Sequence, residues 1–273
     1  MSTDIYDLRP GTGPLLMSIP HLGTRLPDDI DARMTAAGHL VADTDWHLDR
    51  LYDFAAELGA TVIGARTSRY VIDLNRAPDN RPLYPGARNT ELVPTTTFDE
   101  EPIYLEGEIP GEAEIADRRD TYWRPYHEQI ESELAVLRAR HGTVVLFDCH
   151  SIRSQVPRFF DGTLPDFNLG TAEGDSCAPD LRDRLADVLR TTGSDYRLAV
   201  DGRFKGGYIT RQYGRPAAGI HAFQMELSQI TYMDETPPFA YREDRAAAVK
   251  PALREMLATA VDWAKGAAPT PKS

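Results

Sequence analysis

Thr143 to Asp148 read TVVLFD, an apolar and β-branched run with no polar alternation. A strand of that kind has both faces covered, as in a parallel sheet held between helical layers. PLLMSIP, ending at Pro20 and followed by His21, reads as a second such strand, and IHAFQMEL, from Ile220 to Leu227, as a third. ATVIGA and RYVIDL read as two shorter ones. Helical stretches stand between them. DDIDARMTAAG has acids in its first turn and a glycine stop at Gly38, and DTDWHLDRLYDFAAELG puts Trp46, Leu51, Phe54, Ala55 and Leu58 on one stripe before Gly59. Gly111 to Arg140 reads as a long helical region broken at Pro125. APDLRDRLADVLRTTG and YREDRAAAVKPALREMLATAVDWAKG read as two more helices. Strands alternating with helices predict an α/β fold.

Two long loops interrupt this pattern. Ala77 to Pro110 is proline-rich and aperiodic, the character of a binding loop or lid. SIRSQVPRFFDGTLPDFNLGT reads as the other. No linker divides the chain, so residues 1–266 are expected to form a single domain and residues 267–273 a disordered tail.

Charge narrows the function. Lys and Arg number 30 against 42 Asp and Glu, a formal charge of -12, which argues against nucleic acid or an anionic membrane as partner. Two cysteines are too few for a disulfide framework, and Cys149 is expected to be a small buried filler. The N-terminus lacks the order of a signal peptide and no apolar run is long enough to span a membrane, so a cytoplasmic protein is expected. Local positive patches survive in this acidic chain. Arg66, Arg69, Arg76, Arg81 and Arg88 cluster in one segment, and Arg203, Lys205, Arg211 and Arg215 in another. They point to small anions as ligands.

Open α/β sheets bind ligands beyond the carboxyl ends of their strands. Three strands here end in acid–base or metal-competent groups: His21, His150 within FDCHS, and Glu226. Asp45 starts the helix that follows His21. Two histidines and a carboxylate are the donor set of a catalytic zinc with an open position for water, and a separate carboxylate supplies the base. His47 and Asp49 are alternatives to Asp45, the second also as a partner for a ligand or an arginine. Glu226 lies inside an apolar strand, where an acid must be neutral, paired or functional. Asp148 is expected to support His150. Arg69 and Arg76 suit a carboxylate or a developing oxyanion, unless they pair with Asp73 or Asp49.

Together SIPHLGTRLP, DTDWHLDRLYDFAAELGA, SRYVIDLNR, LVPTTTF, YHEQIESEL, VVLFDCHSIRS, DFNLGT, FKGGYITRQYG and HAFQMELSQITYMDE resemble the N-formylglutamate amidohydrolase family, akin to the zinc carboxypeptidases and aspartoacylase. The resemblance implies a zinc-dependent exopeptidase-like fold, three layers α/β/α around a mixed, mostly parallel sheet. It implies zinc, or another divalent metal, on His21, Asp45 and His150. In the relatives the second ligand is a Glu three residues after the first His; here Thr24 stands at that place, and Asp45 takes the role. Glu226 would be the base, Arg69 would polarise the scissile carbonyl, and Asn75 with Arg76 would grip one substrate carboxylate. Lys205 or Arg211 would take the other, in a loop where Gly207 and Thr210 also line the substrate. The implied reaction is hydrolysis of the dianion N-formyl-L-glutamate, within histidine degradation. Another N-acyl amino acid as substrate, or dicarboxylate binding without hydrolysis, are the competing readings.

Overall fold

The computed structural model describes residues 4–83, 86 and 88–267. Seven strands form one sheet: β1 Tyr6–Arg9, β2 Leu15–Ile19, β3 Thr61–Ala65, β4 Val144–Ile152, β5 Phe167–Gly170, β6 Leu198–Val200 and β7 Ile220–Ser228. Their order is β1-β3-β2-β4-β7-β5-β6. The central strands β3, β2, β4 and β7 run parallel, β1 and β5 pair antiparallel to their inner neighbours, and β6 runs parallel to β5. The sheet is mixed and mostly parallel, as expected.

Helices cover both faces. They are α1 Asp28–Asp31, α2 Ala36–His39, α3 Leu48–Leu51, α4 Glu112–Arg118, α5 Arg124–His141, α6 Pro179–Thr192, α7 Tyr208–Tyr213 and α8 Glu243–Ala267. Alternation along the strands divides the core. Leu15, Met17, Val145, Phe147, Cys149, Phe223 and Met225 pack with α6 and α8, and Cys149 is the buried filler the sequence suggested. Leu16, Ile63, Leu146 and Ala222 pack on the opposite face, against Tyr126, Ile130 and Leu134 of α5 and Ile209 of α7. No helix is long and apolar enough to cross a membrane among the described residues.

Several elements differ from the expected ones. DDIDARMTAAG forms two single turns, and Gly38 lies inside the second, whose amide donates to the Thr35 cap. The helix foreseen from Asp43 starts only at Leu48, because His47 has φ 61°, a left-handed conformation that breaks a right-handed helix. RYVIDL is not a strand; Val71 N–H bonds to Ser68 O and Asp73 N–H to Leu92 O, so the segment curls. α4 and α5 join through a π turn, Arg119–Trp123, immediately ahead of Pro125, which absorbs the hydrogen bond that the proline cannot donate. SIRSQVPRFFDGTLPDFNLGT, read as a loop, contains β5; the loop expected to carry Gly207 and Thr210 contains α7; and β6 was not foreseen. α8 extends to Ala267; the rest of the expected tail lies outside the described residues. Within Ala77 to Pro110, three residues are likewise undescribed, and no helix or strand is formed by the others.

Candidate active site

The chain leaves β2 towards β3 on one side, whereas β4 lies on the other, so a crevice opens between the carboxyl ends of β2 and β4. His21 stands two residues beyond β2, and His150 lies on β4. The register of β4 against β7 sets His150 beside Glu226 and Asp148 beside Gln224. Residues of one parity share a face, so these four project to the same side while Cys149 and Met225 enter the core behind them. That is why FDCHS alternates chemistry with filler.

Asp45 reaches this crevice by a return of the chain. Its backbone N–H bonds to His21 O at 3.0 Å, closing an excursion that carries α1 and α2. Its Oδ2 lies 3.1 Å from His150 Nδ1 and 3.6 Å from His21 Nδ1, and it accepts from Ser151 N–H at 3.2 Å. One ligand atom from each of His21, Asp45 and His150 falls within 4.8 Å of the others, all three residues being buried. Of the candidates for the second position, Asp45 is the one that joins the two histidines. His47 instead donates from Nε2 to Phe239 O at 2.7 Å, and Asp49 lines a separate hollow beside β3. Thr24 is exposed.

The outer atom of each ring is held, that of His21 by a carboxylate acceptor as metal-binding histidines require. His21 Nε2 meets Asp73 Oδ1 at 2.7 Å; a carboxylate only accepts, so Nε2 carries the proton and Nδ1 turns its lone pair towards Asp45. His150 Nε2 lies 2.9 Å from Asp148 Oδ1, a close electrostatic contact without hydrogen-bond alignment, and 2.8 Å from Asn75 Nδ2. Asp73 also takes Arg69 at 2.6 Å and the Asn75 N–H at 2.8 Å. Asp73 thus ties the first histidine to the arginine; the arginine pair is one of the expected alternatives, whereas the contact with His21, 52 positions away, is not. Gln224 is the other unforeseen member: its Oε1 accepts from Gly207 N–H at 2.6 Å and its Nε2 donates to Glu226 Oε2 at 3.0 Å.

The charges follow from these contacts. Burial alone would raise the Asp45 carboxyl, but the hydrogen bond from His150 and the nearby His21 imidazole outweigh it and hold the group below its ordinary value. Asp73 is likewise lowered, burial being overcome by His21 and the Arg69 guanidinium. His150 is raised well above the usual imidazole value, since Asp148 and Asp45 outweigh its desolvation. Two buried imidazoles facing three carboxylates form a pocket of negative potential suited to a cation. Glu226 differs: burial pushes it up to about 8, with His150 and Arg69 opposing.

Above the ligand set lies a cleft of about 590 Å³, mouth included. Arg69, Arg76, Arg88 and Arg203 line it, with Glu226 as the sole carboxylate among the described lining residues. Asn75 and Gly207 lie on its wall. Asn75 bonds within the protein through both amide atoms, Oδ1 accepting from Ile209 N–H at 2.8 Å. A Cβ at Gly207 would come within 2.2 Å of that amide, so glycine is what lets the loop close on Asn75. Thr210 donates to Asp148 Oδ2 at 3.1 Å behind the wall. Lys205 and Arg211 are not among the residues lining the cleft. Lys205 Nζ bonds to Glu173 at 2.7 Å and Arg211 Nε to Gly206 O at 2.9 Å. The cations that do line it with Arg69 and Arg76 come from Arg88 and Arg203.

The sequence model of the N-formylglutamate amidohydrolase family matches residues 13–233. The chain belongs to the N-formylglutamate amidohydrolase family. The matched span includes every ligand-set residue and Glu226. N-formylglutamate deformylase of Pseudomonas aeruginosa is 49% identical over 262 residues, 96% of this chain and 98% of that protein. The Pseudomonas putida protein of the same name is 48% identical over 259 residues, covering 95% and 96%. Among solved structures, an N-formylglutamate amidohydrolase from Ralstonia eutropha JMP134 superposes with a TM-score of 0.80 at 28% identity, over 97% of this chain and 98% of that one. A protein from Agrobacterium tumefaciens shares the fold with a TM-score of 0.70 at 19% identity, over 95% of each chain.

Proposed function

We propose that this protein hydrolyses N-formyl-L-glutamate to formate and L-glutamate, a step in histidine breakdown. The convergence of His21 Nδ1, Asp45 Oδ2 and His150 Nδ1 beneath a cleft lined by four arginines carries the reading. The donor set fits zinc: two imidazole nitrogens with their outer edges anchored, and one carboxylate oxygen. Bound there, zinc or another divalent metal supplies Lewis acidity that makes water nucleophilic near neutral pH.

The chain's own residues do the rest. Glu226, across the strand pair from His150, accepts the proton of the attacking water and delivers it to the leaving nitrogen. Gln224 orients its carboxyl through Oε2. Arg69, fixed by Asp73 and stacked over the Phe98 ring at 5.0 Å, faces the oxyanion that develops on the formyl oxygen. Arg76, held by Thr90 and by the Asn75 carbonyl, anchors one substrate carboxylate at the cleft wall. Asn75 acts by holding His150 and the Gly207 loop.

The test is glutamate release from N-formyl-L-glutamate by purified protein, before and after chelation and after zinc is restored. Release that disappears with chelator and returns with zinc is expected. Turnover of acetyl or succinyl analogues without the formyl compound would move the substrate; activity indifferent to chelation would remove the metal.

A further inference from the structure

A glutamate derivative has two carboxylates, and Arg76 accounts for one. We propose that Arg203 receives the side-chain carboxylate and so selects glutamate over neutral amino acids; this rests on the reaction proposed above. Position is the first argument. Arg76 adjoins Asn75, whose amide touches His150 at 2.8 Å, so it lies next to the reacting centre, where the α-carboxylate must be. Arg203 lines the same cleft from the loop between β6 and α7. Its guanidinium lies 5.3 Å from the Phe204 ring and 6.0 Å from the Phe159 ring; Phe159 in turn meets Phe98 at 5.0 Å, and Phe98 lies under Arg69. The Phe159 and Phe98 rings therefore link Arg203 to the carbonyl-facing arginine along one aromatic-lined wall, which gives the cleft a second cation on a different element. Arg88, the other cation of the cleft, bonds to Glu100 at 2.8 Å on an exposed side chain.

Fixed aim is the second argument. Arg203 Nε donates to Phe159 O at 2.7 Å, which fixes the guanidinium beside the Phe159 and Phe204 rings, ready for a charge-assisted contact. The loop that carries it is braced. Asp201 sits at φ 47° and its carboxylate accepts from Thr171 N–H at 2.7 Å, Thr171 Oγ1 at 2.5 Å and Glu173 N–H at 3.2 Å. Ala172 and Glu173 are also left-handed, and Ala172 N–H bonds to Lys205 O at 2.6 Å. Left-handed non-glycine residues persist where surrounding structure over-determines them, and they gather at ligand sites. Lys205, on the same loop, faces outward to Glu173.

The experiment compares wild type with Arg203→Met and Arg203→Lys, using N-formyl-L-glutamate as substrate and N-formyl-L-glutamine and N-formyl-L-norvaline as substrates or competitive inhibitors. Arg203→Met is expected to lower kcat/KM for the glutamate compound about 100-fold, mainly through KM, while constants for the two neutral analogues move less than about threefold. Arg203→Lys is expected to recover part of the loss, which a folding defect would not allow. Equal weakening of all three ligands would overturn the assignment, as would an unchanged glutamate constant. Absence of turnover by wild type would sink the reaction instead. Titration calorimetry with the glutamate and glutamine compounds then still decides Arg203, and equal wild-type affinity for both would remove it.

Discussion

His127 and His150 are both buried in the same chain, yet their surroundings drive them in opposite directions. His127 on α5 stacks on Trp123 at 3.7 Å, with Nε2 donating to Leu74 O at 2.9 Å and Nδ1 accepting from Tyr213 O–H at 2.8 Å. All its partners are neutral, and burial pulls it down to about 3. His150 meets Asp148 and Asp45 and is raised. Burial alone makes a histidine a neutral strut, and carboxylates around it make a place for positive charge. The strut still serves the site, because Leu74 lies between Asp73 and Asn75, and Trp123 Nε1 donates to Arg76 O at 3.0 Å.

Removing the charged partner set should have the largest effect. His150→Ala is expected to abolish bound zinc, measured by metal analysis of the purified protein, and to reduce turnover at least about 10⁴-fold. Glu226→Gln should keep zinc and lower kcat about 10³-fold; loss of metal in this variant would contradict its separation from the ligand set. Asp73→Asn, which weakens the anchor of the first ring, should cost about 10- to 100-fold in zinc affinity by competition with a chelator.

The neutral histidine makes a different prediction. Its folded pKa lies below the unfolded value of about 6.5, so between those values the unfolded chain binds the extra proton and stability falls with acidity. The slope from this residue approaches about 1.4 kcal/mol per pH unit below pH 6. His127→Gln should flatten denaturant-measured stability over pH 6 to 4 by that amount, and an unchanged slope would exclude His127 as its source. Cys149→Ala, one residue from His150 but facing the opposite core, should lose about 1 kcal/mol of stability with kcat unchanged.

The strands that bear His150 and Glu226 were legible in sequence because both faces of β4 and β7 are buried, which leaves a continuous apolar run in VVLF and apolar residues of both parities in IHAFQMEL. β5 and β6 span four and three residues and leave no such signal. RYVIDL misled because Tyr70, Val71, Ile72 and Leu74 are all buried, and burial looks the same whether the backbone extends or curls. Of the site, the ligand types at strand ends were readable. The hold of Asp73 on His21 and the part of Gln224 were not, because a side chain that acts through another side chain has no sequence signature of its own; the pairing of Asp73 with Arg69 was one of the alternatives. Lys205 or Arg211 was expected at the second carboxylate from the glycine-rich loop, and only the fold shows that both bond outside the cleft that Arg203 lines.

The bond from Asp45 N–H to His21 O also has a bearing on how this ligand set can vary. A ligand pair on one helical turn is locked to a three- or four-residue interval. Here the interval is closed by a latch, so an insertion costs little beyond closure entropy, about 0.6 kcal/mol for each doubling, where it spares Ile30, Met34, Val41 and Asp43, which are buried against Tyr70, Tyr104 and the Phe98 amide. Exposed positions within residues 22–44 are therefore where the chain can lengthen while His21 and Asp45 stay in register.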